Sequence, residues 1–235
     1  MASRQTEKLR DCAVITTIHL FGSSYFLLFV LHFLIFHFPS TPEAILNSVA
    51  VLFFCAGVLF WCISTILYRI LAAAAQGNTT GWQKIEFIGT FVLIGATTIP
   101  FVVLQFAAES SARLSYLSAL TLVTVGFLVD LFAVEPDVAV IRERFPYHCA
   151  SLGLLMLVPA IHALSEHQFA YTPLVLQFGK IAIYNALVGI LFLLRPLERM
   201  RVITGWQPSL YAMHLVLVYN AITYSRVILH VLVDL

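Results

Sequence analysis

Charge is what this 235-residue chain has least of. Its 13 Lys and Arg and 12 Asp and Glu make up 11% of the sequence and leave a formal net charge of +1. A soluble domain carries roughly a quarter charged residues, so an ordinary water-soluble globule is excluded. No basic run extends beyond a few residues, which excludes a nucleic-acid surface and a coiled coil with charged flanks. Polar low-complexity tracts are missing, which excludes a disordered chain. Cysteine is scarce as well. Cys12, Cys55, Cys62 and Cys149 include no CxxC pair, and they read as reduced apolar fillers, not as a disulfide framework.

Apolar residues fill the space that charge leaves, at 60% of the chain. A bilayer-crossing helix takes about 20 mostly apolar residues, so seven spans use about 140 positions, close to the whole apolar content. Polar interruptions delimit spans near Ala13 to Phe38, Ile45 to Tyr68, Ile85 to Ala107, Leu114 to Val134, Tyr147 to Leu164, Leu174 to Leu194 and Leu210 to Leu235. Pro39 and Pro42 end the first run, Gln76-Gly77-Asn78 marks the second break, and Pro136 and Pro146 bracket the fourth. The first run is too long for a signal-peptide core and lacks a small-residue cleavage site, so it reads as a retained helix. Loops are short, with no internal repeat. The expectation is an all-α, seven-transmembrane bundle forming one domain over 1–235, with a short cytosolic N-terminal segment over 1–12.

The basic residues give an orientation. With a cytosolic N-terminus, Arg4, Lys8, Arg10, Arg69, Lys84, Arg142, Arg144, Arg195, Arg199 and Arg201 fall on the inner side and Arg113 on the outer, while Lys180 and Arg226 lie within spans. That bias follows the positive-inside rule and sends the C-terminus outside or into a lumen. An endoplasmic-reticulum or other endomembrane location is expected.

Ionisable groups within apolar spans cost several kcal/mol unless they are paired or hydrated. His19, Tyr68, Glu86, Asp130 and His214 fall within about two turns of the inner face on five different helices, by helical rise. Glu198, with Arg195 and Arg199, lies just beneath. His162 and Lys180 fall nearer the outer half. Each inner residue has a plain structural reading: Glu86 and Asp130 as headgroup-level partners of Lys84 or the inner arginines, His19 and His214 as packing residues, and Tyr68-Arg69 as an interfacial anchor. Convergence of five polar groups at one depth points instead to a shared cavity.

The same residues carry a family resemblance. Thr17-Ile18-His19-Leu20-Phe21-Gly22, Glu86-Phe87-Ile88-Gly89, Val158-Pro159-Ala160-Ile161-His162, Arg195-Pro196-Leu197-Glu198-Arg199 and Ser209-Leu210-Tyr211-Ala212-Met213-His214 occur in order along the chain. The sequence resembles the progestin and adipoQ receptor family, which includes the haemolysin III-like proteins. The resemblance implies a membrane-embedded zinc site with one histidine from an S-x-x-x-H motif on the second helix and two from an H-x-x-x-H on the seventh. This chain keeps Ser64 but has Tyr68 at the first ligand position and Leu210 at the second, so only His214 of the three is present. Loss of two ligands removes most of the affinity for zinc. The expectation is no metal and no cofactor, with a site rebuilt from His19, Glu86 and His214 as the alternative.

A carboxyl group in a water-poor cavity is disfavoured as the anion and becomes a usable proton donor. Aromatic rings, here 19 Phe, 9 Tyr and 3 Trp, stabilise a developing cation through their faces. Acid, aromatic walls and exclusion of water suit proton-initiated cyclisation of an isoprenoid. In length, span number and buried acids the chain is similar to the small fungal membrane-bound terpene cyclases of meroterpenoid pathways. The expected function is a metal-independent cyclase acting on a prenylated or epoxidised isoprenoid, with Glu86, Asp130 and His214 catalytic and His19, Ser64, Tyr68 and Glu198 shaping the cavity. The alternatives are a receptor-like lipid- or sterol-sensing protein and a zinc-dependent lipid hydrolase. The expected partners are that substrate and membrane lipids, with no nucleic acid.

Overall fold

The computed structural model describes residues 2–39, 41–74, 80–133, 138–165, 172–199 and 206–233. These form α1 (Ala2–Phe36), α2 (Pro42–Ala74), α3 (Thr80–Gln105), α4 (Ser110–Ala133), α5 (Val138–Ser165), α6 (Thr172–Leu194), the single-turn α7 (Pro196–Arg199) and α8 (Pro208–Val233). All but α7 contain stretches long and apolar enough to cross a membrane, which bears out the all-α, seven-span expectation.

Local chemistry sets the helix boundaries. Pro42, Pro196 and Pro208 each occupy the first position of a helix, where a missing N–H costs nothing. Thr41 stands before α2, its carbonyl accepting the Ile45 N–H at 3.1 Å, and the Gln207 carbonyl accepts the Leu210 and Tyr211 N–H groups ahead of α8. Arg195 separates α6 from α7 with a left-handed φ of 46°, the αR conformation being disfavoured for a residue preceding proline.

Two boundaries differ from the sequence reading. The first apolar stretch begins at Leu9 and not at Ala13, and α1 is helical from Ala2. Pro146 does not delimit a span but lies inside α5, as Pro159 does, and Pro100 lies inside α3. A proline is tolerated in a membrane helix because neighbouring helices and side chains satisfy the freed backbone group. Pro136 and the expected span ends Val134 and Leu235 lie outside the described residues.

The main core sits between α1, α2, α3, α6 and α8, around Phe26, Phe54, Phe101, Phe178 and Tyr224. Phe101 and Phe178 stack with centroids 4.2 Å apart, and Tyr224 meets Phe54 edge-on at 5.3 Å. A smaller cluster of Phe87, Phe91, Leu120, Leu131 and Leu152 joins α3 to α4 and α5. Helices α2 and α3 approach closely where residues are small: a side chain at Gly57 would meet Ala96, and one at Gly89 would meet Ser64 and Trp61. On α4, by contrast, Leu114, Leu122, Val125, Val129 and Phe132 all face outward. An apolar exterior of this kind is what a bilayer accepts and water does not.

Candidate functional site

Helices α1 and α8 run side by side in the same direction. Asp11 contacts Tyr211 and Gln207, His19 contacts His214, and Tyr25 contacts Ser225. This parallel register brings two histidines from opposite ends of the sequence together. His19 Nε2 and His214 Nδ1 lie 3.0 Å apart and share one hydrogen bond, and the residues are 0% and 3% exposed. Trp61 of α2 closes the third side, meeting His19 edge-on at 4.5 Å and stacking on His214 at 6.3 Å.

Below Trp61, Thr65 and Arg69 follow at four-residue intervals and so continue the same face of α2. Arg69 Nη2 donates to Glu86 Oε1 of α3 at 3.0 Å, forming an ion pair with side chains 21% and 11% exposed. Arg69 also lies over the Tyr68 ring, 5.2 Å from its centroid. A carboxylate held this way is a structural ion-pair partner, and the pairing anchors α2 to α3.

Nearer the start of α1, the Tyr211 hydroxyl donates to Asp11, Gln207 Nε2 donates to the other Asp11 oxygen at 3.0 Å, and the Arg10 guanidinium lies 4.5 Å over Trp206. These contacts tie the beginnings of α1 and α8 together. Glu198 completes that end. Its Oε1 accepts the Ser209 N–H at 3.0 Å and its Oε2 the Ser209 hydroxyl at 2.6 Å, so it caps α8. Its partial burial would raise its pKa, but the Ser209 donors and the nearby Arg195 outweigh that and hold the carboxyl below its usual range.

The five expected polar groups therefore do not line one cavity. His19 and His214 meet, and Glu86 lies along the same α2 face through Arg69. Asp130 does not join them, because it lies 3.5 Å from Arg144 and 3.6 Å from His148 on the α4–α5 side, with its side chain 38% exposed. His148 stacks flat on Phe127 at 4.4 Å. Glu86 and Asp130, expected as acid and partner, are engaged by different cations on different helices. The Ser64 hydroxyl donates to its own helix at the Trp61 carbonyl, 2.9 Å away, and the residue packs against Gly89. Tyr68 is half-buried beneath Arg69.

The structure adds residues that the sequence reading did not single out. Trp61 packs against both histidines, and Thr65 lies one turn along the same α2 face. A polar seam joins α6 to α8, where Asn220 Nδ2 donates to Asn185 at 2.7 Å and Gln177 to Thr223 at 3.1 Å. The Asn pair borders a small void that Thr97 also lines, with room for a single water. Amides in the middle of apolar runs were the available signal, since an unpaired one is costly in lipid.

The zinc chemistry implied by the family resemblance does not fit these residues. Zinc binds imidazole nitrogens at about 2.0–2.1 Å and takes at least three protein ligands. Here the two facing nitrogens bond to each other, and Glu86 is directed to Arg69. Among the described residues, no group of three or more His, Cys, Asp or Glu gathers as a metal-ligand set.

The chain is 29% identical over 178 residues to the heptahelical transmembrane protein ADIPOR2 of Oryza sativa subsp. japonica. The match covers 73% of this chain and 69% of that protein. No family model matches the chain. Seven apolar helices and similarity to a heptahelical membrane protein make this an integral, multi-pass membrane protein with membrane lipids as its surroundings. The similarity supports the adipoQ receptor-like resemblance and offers none to a terpene cyclase.

Proposed function

We propose that the protein is a receptor-like membrane protein that recognises a lipid within its seven-helix bundle and does not transform it. The observation that carries this reading is the likeness to a heptahelical adipoQ receptor-like protein over most of both chains. The site chemistry agrees with it. Cyclisation needs an acid free to protonate a substrate, whereas Glu86 is committed to Arg69 and Asp130 to Arg144 and His148. Hydrolysis by zinc needs a ligand set that His19, Glu86 and His214 do not form. We place the N-terminus in the cytosol, as the basic residues suggest.

Lipid retention tests the proposal. The purified protein and Glu86→Gln are exposed to a natural membrane-lipid extract in detergent, washed, and analysed by lipid mass spectrometry. Recognition predicts enrichment of one lipid class over the extract, with E86Q retaining it nearly as well wherever it remains folded. Retention that mirrors the extract composition would overturn the proposal.

A further inference from the structure

The histidine pair leaves polar atoms with no protein partner. His19 Nδ1, His214 Nε2, Thr65 Oγ1 and Arg69 Nε are buried and make no hydrogen bond. They come from α1, α2 and α8. Trp61 touches both imidazoles, and Thr65 and Arg69 continue the Trp61 face one and two turns along α2. All four groups therefore belong to the faces of α1, α2 and α8 that meet at the histidine pair. A buried polar atom left unsatisfied forfeits the hydrogen bonds it makes in water, and lipid offers no alternative partner. Four such atoms on meeting faces call for a guest.

Donor chemistry limits what the guest is. Arg69 Nε donates only, the Thr65 hydroxyl donates and accepts, and, because one imidazole donates to the other, one of the two remaining ring nitrogens accepts and the other donates. A metal cation needs acceptors alone, and here it would face a guanidinium. A guest that both donates and accepts satisfies the set, and water, which typically makes about three hydrogen bonds when buried, is the smallest. We infer that internal water, not a metal ion, occupies the polar cluster formed by His19, Thr65, Arg69 and His214. The inference does not depend on lipid recognition: a protein that retained no lipid would still hold this water.

Two measurements on the full-length protein in detergent test it. The first is the zinc content of purified wild type by elemental mass spectrometry. The expected result is far below one ion per chain, and about one ion per chain that is lost in His214→Ala would overturn the inference. The second is the labelling rate of Thr65→Cys by 2-hydroxyethyl methanethiosulfonate, read peptide by peptide. Native Cys55, 1% exposed in the apolar core, serves as the dry reference. A thiol in contact with water ionises and reacts, so Cys at 65 is expected to label at least about tenfold faster than Cys55. Equal rates would overturn the inference. If T65C does not elute as a single folded species, Ser23→Cys, one turn from His19 on α1, takes its place with the same two outcomes.

Discussion

Breaking the Arg69–Glu86 pair on one side leaves the other charge stranded among helices. Glu86→Gln keeps the shape of the side chain and removes its charge, leaving Arg69 opposite a neutral amide. Exposed pairs contribute about 0–1 kcal/mol, while losing one partner of a fully buried pair costs about 3–5 kcal/mol. Exposures of 21% and 11% place this pair near the lower edge of the buried range, about 3 kcal/mol. For a chain of this size the loss lowers the melting temperature by about 6–12 °C. Arg69→Met alone is expected to destabilise the protein in the same direction, because it removes the guanidinium that donates to Glu86. The double variant Arg69→Met with Glu86→Leu removes both charges and fills the space with apolar atoms, so it is expected to lose less than either single variant. Thermal unfolding in one detergent, followed by circular dichroism, measures all four proteins. Full stability in E86Q, or a double variant as unstable as the sum of the singles, would refute the ion-pair reasoning.

Other perturbations follow from the packing and the caps. Gly89→Ala forces a methyl group into Ser64 and Trp61 and is expected to cost about 1–3 kcal/mol, whereas Gly126→Ala meets nothing within 4 Å and gains about 0.5–1 kcal/mol of helix propensity. The opposite signs are readable in parallel melting curves. Asn220→Leu removes the Asn185 bond across α6 and α8 and is expected to cost about 0.6–1.7 kcal/mol, with a double-mutant cycle against Asn185→Leu isolating the coupling. The Glu198 carboxyl titrates lower in the folded protein than in the unfolded chain. Its contribution is therefore full above the unfolded value and is lost as pH falls through the folded one. Glu198→Gln is expected to flatten that acid limb of the stability profile, and an unchanged limb would show that the α8 cap carries no charge.

The seven spans were legible in the sequence because the bilayer imposes one requirement everywhere, about 20 apolar residues for each crossing. The start of α5 was not, because Pro146 reads as a boundary locally and is accommodated only once neighbouring helices surround it. His19 and His214 were legible as polar residues at one depth, and the parallel α1–α8 register turned shared depth into a 3.0 Å contact. Depth alone misled at Asp130, since two residues at one level can face opposite sides of a bundle. The partner of Glu86 followed the same logic. The sequence offered Lys84 or an inner arginine, and the packing of α2 on α3 selects Arg69 as a donor to Glu86. Thr65 and Trp61 gave no signal because a threonine or tryptophan in an apolar run costs little until its surroundings are known.

The central claim is recognition without chemistry, and it is tested most directly by recovering the retained lipid after prolonged incubation with the protein. The lipid is followed by chromatography coupled to mass spectrometry. Recognition predicts one peak, unchanged in retention time and in mass. A new peak of identical mass but shifted retention, absent with Glu86→Gln, would mark a cyclised isomer, and products heavier by one water in total would mark hydrolysis. Either result would contradict the account.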